Sequence, residues 1–79
     1  MSIEVRWFST LIPRMNSKSG KTVVSWSEGI TPRAVFKGEG FSDVDADHVM
    51  AIINGEQADM DSRLDDGASL EFRVGISGG

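Results

Sequence analysis

The 79-residue chain has no cysteine. That excludes disulfides, zinc–thiolate sites, cysteine nucleophiles and thiol redox chemistry. It has one histidine, His48. A metal centre would find no second imidazole and no thiolate to join it. A general base would need a nucleophile and an orienting partner, and no such set is visible. His48 therefore reads as a surface residue at a strand start. No apolar run approaches the roughly 20 residues that span a bilayer. Met1-Ser2-Ile3-Glu4-Val5-Arg6 lacks the basic and then apolar pattern of a secretory leader. The expected compartment is the cytoplasm. Positive charge is also scarce: eight Lys and Arg stand against twelve Asp and Glu, a net charge of −4. This argues against nucleic acid and membranes as partners and favours a partner with a basic patch. There is room for one domain only, and a chain this short buries about 60–65% of its unfolded surface.

What is present reads as short strands around one helix. Ile3 to Phe8 alternates apolar and polar residues, with Ile3, Val5 and Trp7 on one face. Ser9 to Gly20 carries turn chemistry, with Leu11, Ile12 and Met15 expected to fold back onto the body. Lys21 to Trp26 reads as a second strand, hairpin-paired to the first. Thr31 is an N-cap and Pro32 a first helical residue. The short helix ends at Gly38 or Gly40, with Ile30, Ala34 and Val35 as core contacts and Phe36 or Phe41 turned inward. Ser42 to Asp47 is an acidic connector with room for a turn of helix. His48 to Ile53 reads as a central strand buried on both faces. Asn54-Gly55 is a hairpin turn returning through Glu56-Gln57-Ala58. Met60 and Leu64 lie in a connector with an expected turn of helix. Asp66-Gly67 turns into the last strand, Ala68 to Val74.

The element order fits an α+β β-grasp fold: a mixed sheet of four to five strands with one main short helix across it. Its first and last strands would be central, parallel neighbours. Residues 1–74 form the domain, and residues 75–79 a flexible tail.

Other candidate chemistry is thin. Asp43, Asp45 and Asp47 resemble the start of a calcium loop, but His48 stands where glycine is needed and Asn54 where glutamate is needed. No metal site is expected. Gly38-Glu39-Gly40 is no phosphate loop, since no Lys-Ser/Thr follows. Trp7 and Trp26 read as core or cross-strand residues. Arg6, Arg14, Arg33 and Arg73 are dispersed in sequence.

The tail is different. Gly78-Gly79 follows Ile76 and Ser77, and two glycines at this place arise by chance about once in 200. Glycine lets backbone lie close to another surface. Five extended residues reach at most about 16–18 Å. This suits a carboxylate delivered into another protein's active site, while a disordered end of no consequence stays an equal reading of the tail alone.

Several stretches together resemble the MoaD/ThiS family of ubiquitin-like sulfur carriers. They are Glu28-Gly29-Ile30-Thr31-Pro32-Arg33-Ala34-Val35, Ala51-Ile52-Ile53-Asn54-Gly55, Leu64-Asp65-Asp66-Gly67-Ala68-Ser69-Leu70-Glu71-Phe72, and Ser77-Gly78-Gly79. The resemblance implies a β-grasp carrier, not an enzyme. Gly79, preceded by Gly78, would be adenylated by a MoeB/ThiF-like adenylyltransferase and converted to a thiocarboxylate. No cofactor would be bound; ATP and Mg would be used by that partner. Sulfur would pass onward with the large subunit of molybdopterin synthase or with thiazole synthase. The family's Pro-Pro before the tail is replaced by Val74-Gly75, and Ser69 replaces an acidic residue, which leaves the pathway open. Length and the first hairpin lean to the MoaD side. The alternatives are a protein modifier conjugated through Gly79 and a β-grasp binding module. A docking surface is expected on the exposed sheet face beside the tail, through Phe8, Phe72, Ile76 and Ser77, with Arg73, on the face opposite Phe72, as a rim contact; Phe72 shares its face with Leu70 and Val74, so a place in the core is its alternative reading.

Overall fold

Alternation builds the first strand, β1 (Ser2–Trp7), as expected: Ile3, Val5 and Trp7 are buried while Ser2, Glu4 and Arg6 are exposed. The computed structural model describes residues 1–74. β1 pairs antiparallel with β2 (Lys21–Ser25), with Val5 opposite Thr22. The connection between them contains a 3-10 turn at Ile12–Arg14, opened by Pro13. Leu11 and Met15 are buried from this loop, so it does fold back.

Helix α1 (Pro32–Gly38) starts where its cap residue dictates: the Thr31 hydroxyl accepts from the Ala34 N–H at 3.2 Å. Helix α2 (Asp43–Ala46) is held by a reciprocal Ser42–Asp45 capping box. The hairpin of β3 (Val49–Ile53) and β4 (Glu56–Ala58) turns on Asn54 and Gly55. Their φ values of 50° and 86° are the paired positive values of a type I′ turn. β5 (Ser69–Val74) completes a sheet of order β2-β1-β5-β3-β4. β5 runs parallel to β1 and antiparallel to β3.

Three expectations need correction. β3 is an inner strand, as expected, but is not buried on both faces. It lies between β5 and edge strand β4, and only Ala51 is fully buried. The cause is one-sided cover: the core gathers the sheet's inner residues with those of the helices and loops, and the other sheet face stays open to water. Ala34 is exposed, because helical rotation turns Pro32, Val35 and Phe36 to the sheet and carries Ala34 outward. The Met60–Leu64 segment forms turns rather than helix. Its backbone is tied to other elements instead: the Met60 carbonyl accepts from the Arg33 N–H at 2.8 Å, and the Leu64 N–H donates to the Ile30 carbonyl at 2.9 Å. The first of these satisfies an N–H left orphaned at the helix start.

The core between the layers is aromatic. Phe36 stacks on Phe41 with centroids 4.2 Å apart, and Trp7 meets Phe72 at 4.7 Å. Trp26 caps the lower edge, its Nε1–H donating to the Leu64 carbonyl at 2.7 Å.

Candidate functional site

The sheet delivers its central strand to one end of the molecule. β5 is flanked by β1 and β3, and its last described residue is Val74. Gly78 and Gly79, with Ile76 and Ser77, lie outside the described residues. The site that can be built is therefore the ground from which the last five residues depart.

Phe72 does not belong to the surface. It is fully buried, with Trp7 and Phe36 around it. Strand alternation puts it on the same face as Leu70, and that face is the covered one. Its assignment to a docking surface is overturned. Arg73 does face outward and is exposed; its Nε–H donates to Glu71 Oε2 at 2.8 Å. Phe8 is half-buried against the core, and its N–H donates to the Phe72 carbonyl at 3.1 Å. This bond carries the β1–β5 ladder one step past Trp7–Phe72 and sets Phe8 beside Arg73.

The open face near Val74 follows from register. Lys21, Arg6, Glu71 and Ile52 form one row across four strands. Arg73 and Met50 stand in the next row toward the tail. At this end of the sheet opens a cleft of about 490 Å³ lined by Arg6, Trp7, Phe8, Ser9, Gly20, Lys21 and Glu71. Residue pattern alone does not single out Arg6 and Lys21 as site residues. They are distant in sequence, and only the hairpin register brings them together. A second, apolar recess of about 260 Å³ lies between β2 and α1, lined by Val24, Ile30, Ala34 and Val35.

The acidic residues do something else. Asp43 pairs with Lys37 at 3.2 Å and Arg33 at 3.3 Å, Asp45 with Arg14 at 2.8 Å, and Asp61 with Arg33 at 2.8 Å. The Lys37 hydrogen bond holds the Asp43 carboxyl below the usual aspartate range; Arg14 does so for Asp45 and Arg33 for Asp61. Their oxygens already have cationic partners. Among the described residues no group of three or more His, Cys, Asp or Glu could hold a metal ion. His48 is exposed at the start of β3, as expected. Nor is any helix there long and apolar enough to cross a membrane.

A five-stranded mixed sheet with parallel β1 and β5 at its heart, crossed by a short helix, defines the ubiquitin-like β-grasp class. No protein-family model and no curated protein matches the sequence. Solved structures do match the fold. SAMP1 from Haloferax volcanii superimposes with a TM-score of 0.71 at 22% identity, over 100% of both chains. Molybdopterin converting factor subunit 1 from Pyrococcus furiosus gives 0.68 at 14% identity, over 96% of this chain and 99% of its own. A complex of subunits 1 and 2 of the molybdopterin-converting factor from Helicobacter pylori gives 0.66 at 19% identity, over 100% of both chains. The fold is thus the MoaD-type β-grasp expected from the sequence.

Proposed function

We propose that this protein is a sulfur carrier whose working group is the Gly79 carboxylate. The observation that carries the reading is the union of fold and sequence. A MoaD-type β-grasp body places its central strand, β5, immediately before Gly75-Ile76-Ser77-Gly78-Gly79. A carboxylate is a poor electrophile. Attack of the Gly79 carboxylate on the α-phosphate of ATP expels pyrophosphate and leaves an acyl-adenylate. Hydrosulfide then attacks the acyl carbon and AMP departs, leaving a thiocarboxylate; if the sulfur arrives as a donor's persulfide, the product is an acyl disulfide, and a second thiol cleaves its S–S bond to give the thiocarboxylate and a disulfide on the donor side. The protein is the substrate in both steps, not the catalyst. ATP and Mg belong to an adenylyltransferase of the MoeB/ThiF type.

The subunit 1–subunit 2 complex from Helicobacter pylori supports a larger partner that takes the sulfur in a molybdopterin-type pathway. Residues 1–74 serve as the recognised body and residues 75–79 as the arm that reaches the active site, at most about 16–18 Å long. The test is ATP–pyrophosphate exchange with a purified MoeB/ThiF-type enzyme. Exchange with the intact chain and its loss on deletion of Gly79 is the expected result. Equal exchange with and without Gly79 contradicts the reading.

A further inference from the structure

The chain has two asparagines, Asn16 and Asn54, and only Asn54 is followed by glycine. Gly55 has no side chain to shield its main-chain nitrogen, and a Cβ there would meet nothing within 4 Å. In an open chain that nitrogen is free to attack the Asn54 side-chain amide. The fold holds the two groups apart. Asn54 continues the β3–β5 ladder one step past Ile53–Leu70: its N–H donates to the Ser69 carbonyl at 2.8 Å. A regular antiparallel pair would return the second bond to the Asn54 main-chain carbonyl. With φ of 50° the chain is already turning, and the side-chain Oδ1 accepts from the Ser69 N–H instead, at 2.9 Å. Asn54 thus grips Ser69 at two points. In the strand order β5-β3-β4 this grip draws the side chain to the β5 side, whereas Gly55 leads to β4 on the other.

We propose that Asn54 is a latent deamidation site, locked in the folded chain by its clamp on Ser69 and released when the β3–β4 hairpin parts from β5. In the released chain the Gly55 nitrogen bonds to Asn54 Cγ, and the Cγ–N bond of the side-chain amide breaks. Ammonia leaves, its third hydrogen coming from the Gly55 N–H by way of solvent. The product is a five-membered succinimide. Water then opens the ring at one of its two carbonyls. Cleavage between Cγ and the Gly55 nitrogen gives aspartate at position 54. Cleavage between the main-chain carbonyl carbon and that nitrogen gives an isoaspartyl link through Cβ and Cγ. Each route consumes one water and releases one ammonia, with no oxidant or reductant. The two products differ in what they do to the fold. Aspartate keeps an oxygen for the Ser69 N–H. The isoaspartyl link adds a main-chain carbon to a two-residue turn that closes on paired positive φ values. β4 is an edge strand of three residues paired to β3 alone, and it would lose its register. None of this chemistry depends on Gly79 or on a partner.

The experiment incubates the full chain at neutral pH, in buffer and in urea above the unfolding midpoint. Mass spectrometry of the peptide spanning Asn54 and Gly55 reads a gain of about 1 Da, NH2 replaced by OH. An isoaspartate-directed methyltransferase reads the rearranged product. The peptide holding Asn16-Ser17 is the internal reference. In urea the chain should gain mass at Asn54 well before Asn16. It should do so at least about tenfold faster than in buffer, where local opening sets the rate. Ser69→Pro removes the donating N–H at the first residue of β5, a strand position where proline is tolerated. It should speed the reaction in buffer about three- to tenfold, the range for one net hydrogen bond, and leave the rate in urea unchanged. A urea unfolding curve verifies that this variant is folded; if it is not, the wild-type comparison decides alone. Equal wild-type rates in buffer and in urea overturn the lock. No preference for Asn54 over Asn16 in urea overturns the site. A folded Ser69→Pro chain that deamidates at the wild-type rate removes the clamp and overturns the proposal as well.

Discussion

Phe72 and Phe8 are close in space and opposite in role. Phe72 touches Trp7 and Phe36 at centroid distances of 4.7 and 5.3 Å and has no exposed surface. Phe72→Ala should cost about 3–5 kcal/mol, the range for removing a buried aromatic ring. Phe8→Ala should cost clearly less, about 1–2 kcal/mol, because its ring is only partly withdrawn from water. Urea unfolding of the two variants checks this; equal losses would contradict the assignment of Phe72 to the core. Two glycines offer a similar contrast. Gly40 has φ +95°, and a Cβ there would meet the Asn16 side chain at 2.9 Å. Gly40→Ala should destabilise by about 1–2 kcal/mol or more. Gly38 is the last residue of α1, and a Cβ there would meet nothing within 4 Å. Gly38→Ala should stabilise by up to about 1 kcal/mol. The same unfolding curves decide it.

Among the elements, α1, α2 and the β4–β5 connector are joined by charge. Arg33 bridges Asp61 and Asp43, and Lys37 shares Asp43. The unfolded carboxyls titrate near 3.8, and those of Asp43, Asp45 and Asp61 titrate lower in the fold. The unfolded chain therefore takes up more protons as pH falls, and stability declines with it. The contribution is complete above about pH 5 and is lost as pH falls through the folded values. Because these groups are exposed, high salt should weaken the effect. Arg33→Ala should flatten the acid limb of urea midpoint against pH. An acid limb identical to wild type would remove this network from the account. Much of the element order is legible in the sequence. Thr31-Pro32 states a helix start, Asn54-Gly55 states a tight hairpin, and strict alternation states β1, because each signal acts within a few residues. The alternation of Leu70, Phe72 and Val74 with Glu71 and Arg73 already carries the core reading of Phe72, and it is the docking assignment that fails; the burial of β3 is overstated because its apolar run does not say that helices cover only one face of the sheet. The Met60–Leu64 turns are fixed by bonds to Arg33, Ile30 and Trp26, far away in sequence. The Arg6–Lys21 pair needs the register across a long connection, which residue pattern does not specify.

For the molecule as a whole, the sheet is both frame and pointer. Its two parallel central strands bury the aromatic core on one face and present a cationic cleft on the other, at the end where Val74 precedes the glycines. The β-grasp body accounts for stability; in the proposed reading it is also what the partner enzyme recognises, and the chemistry lies with the Gly79 carboxylate. The alternative fate of the same activated group is attack by a lysine amine, which would make the protein a modifier. Intact-mass spectrometry after incubation with a MoeB/ThiF-type enzyme, ATP, Mg and a sulfur donor separates these outcomes most directly. The account predicts a gain of about 16 Da, oxygen replaced by sulfur, in the full chain and none when Gly79 is deleted. An unchanged mass in the full chain while the enzyme thiolates its own carrier, or a ladder of larger conjugates in its place, would contradict it.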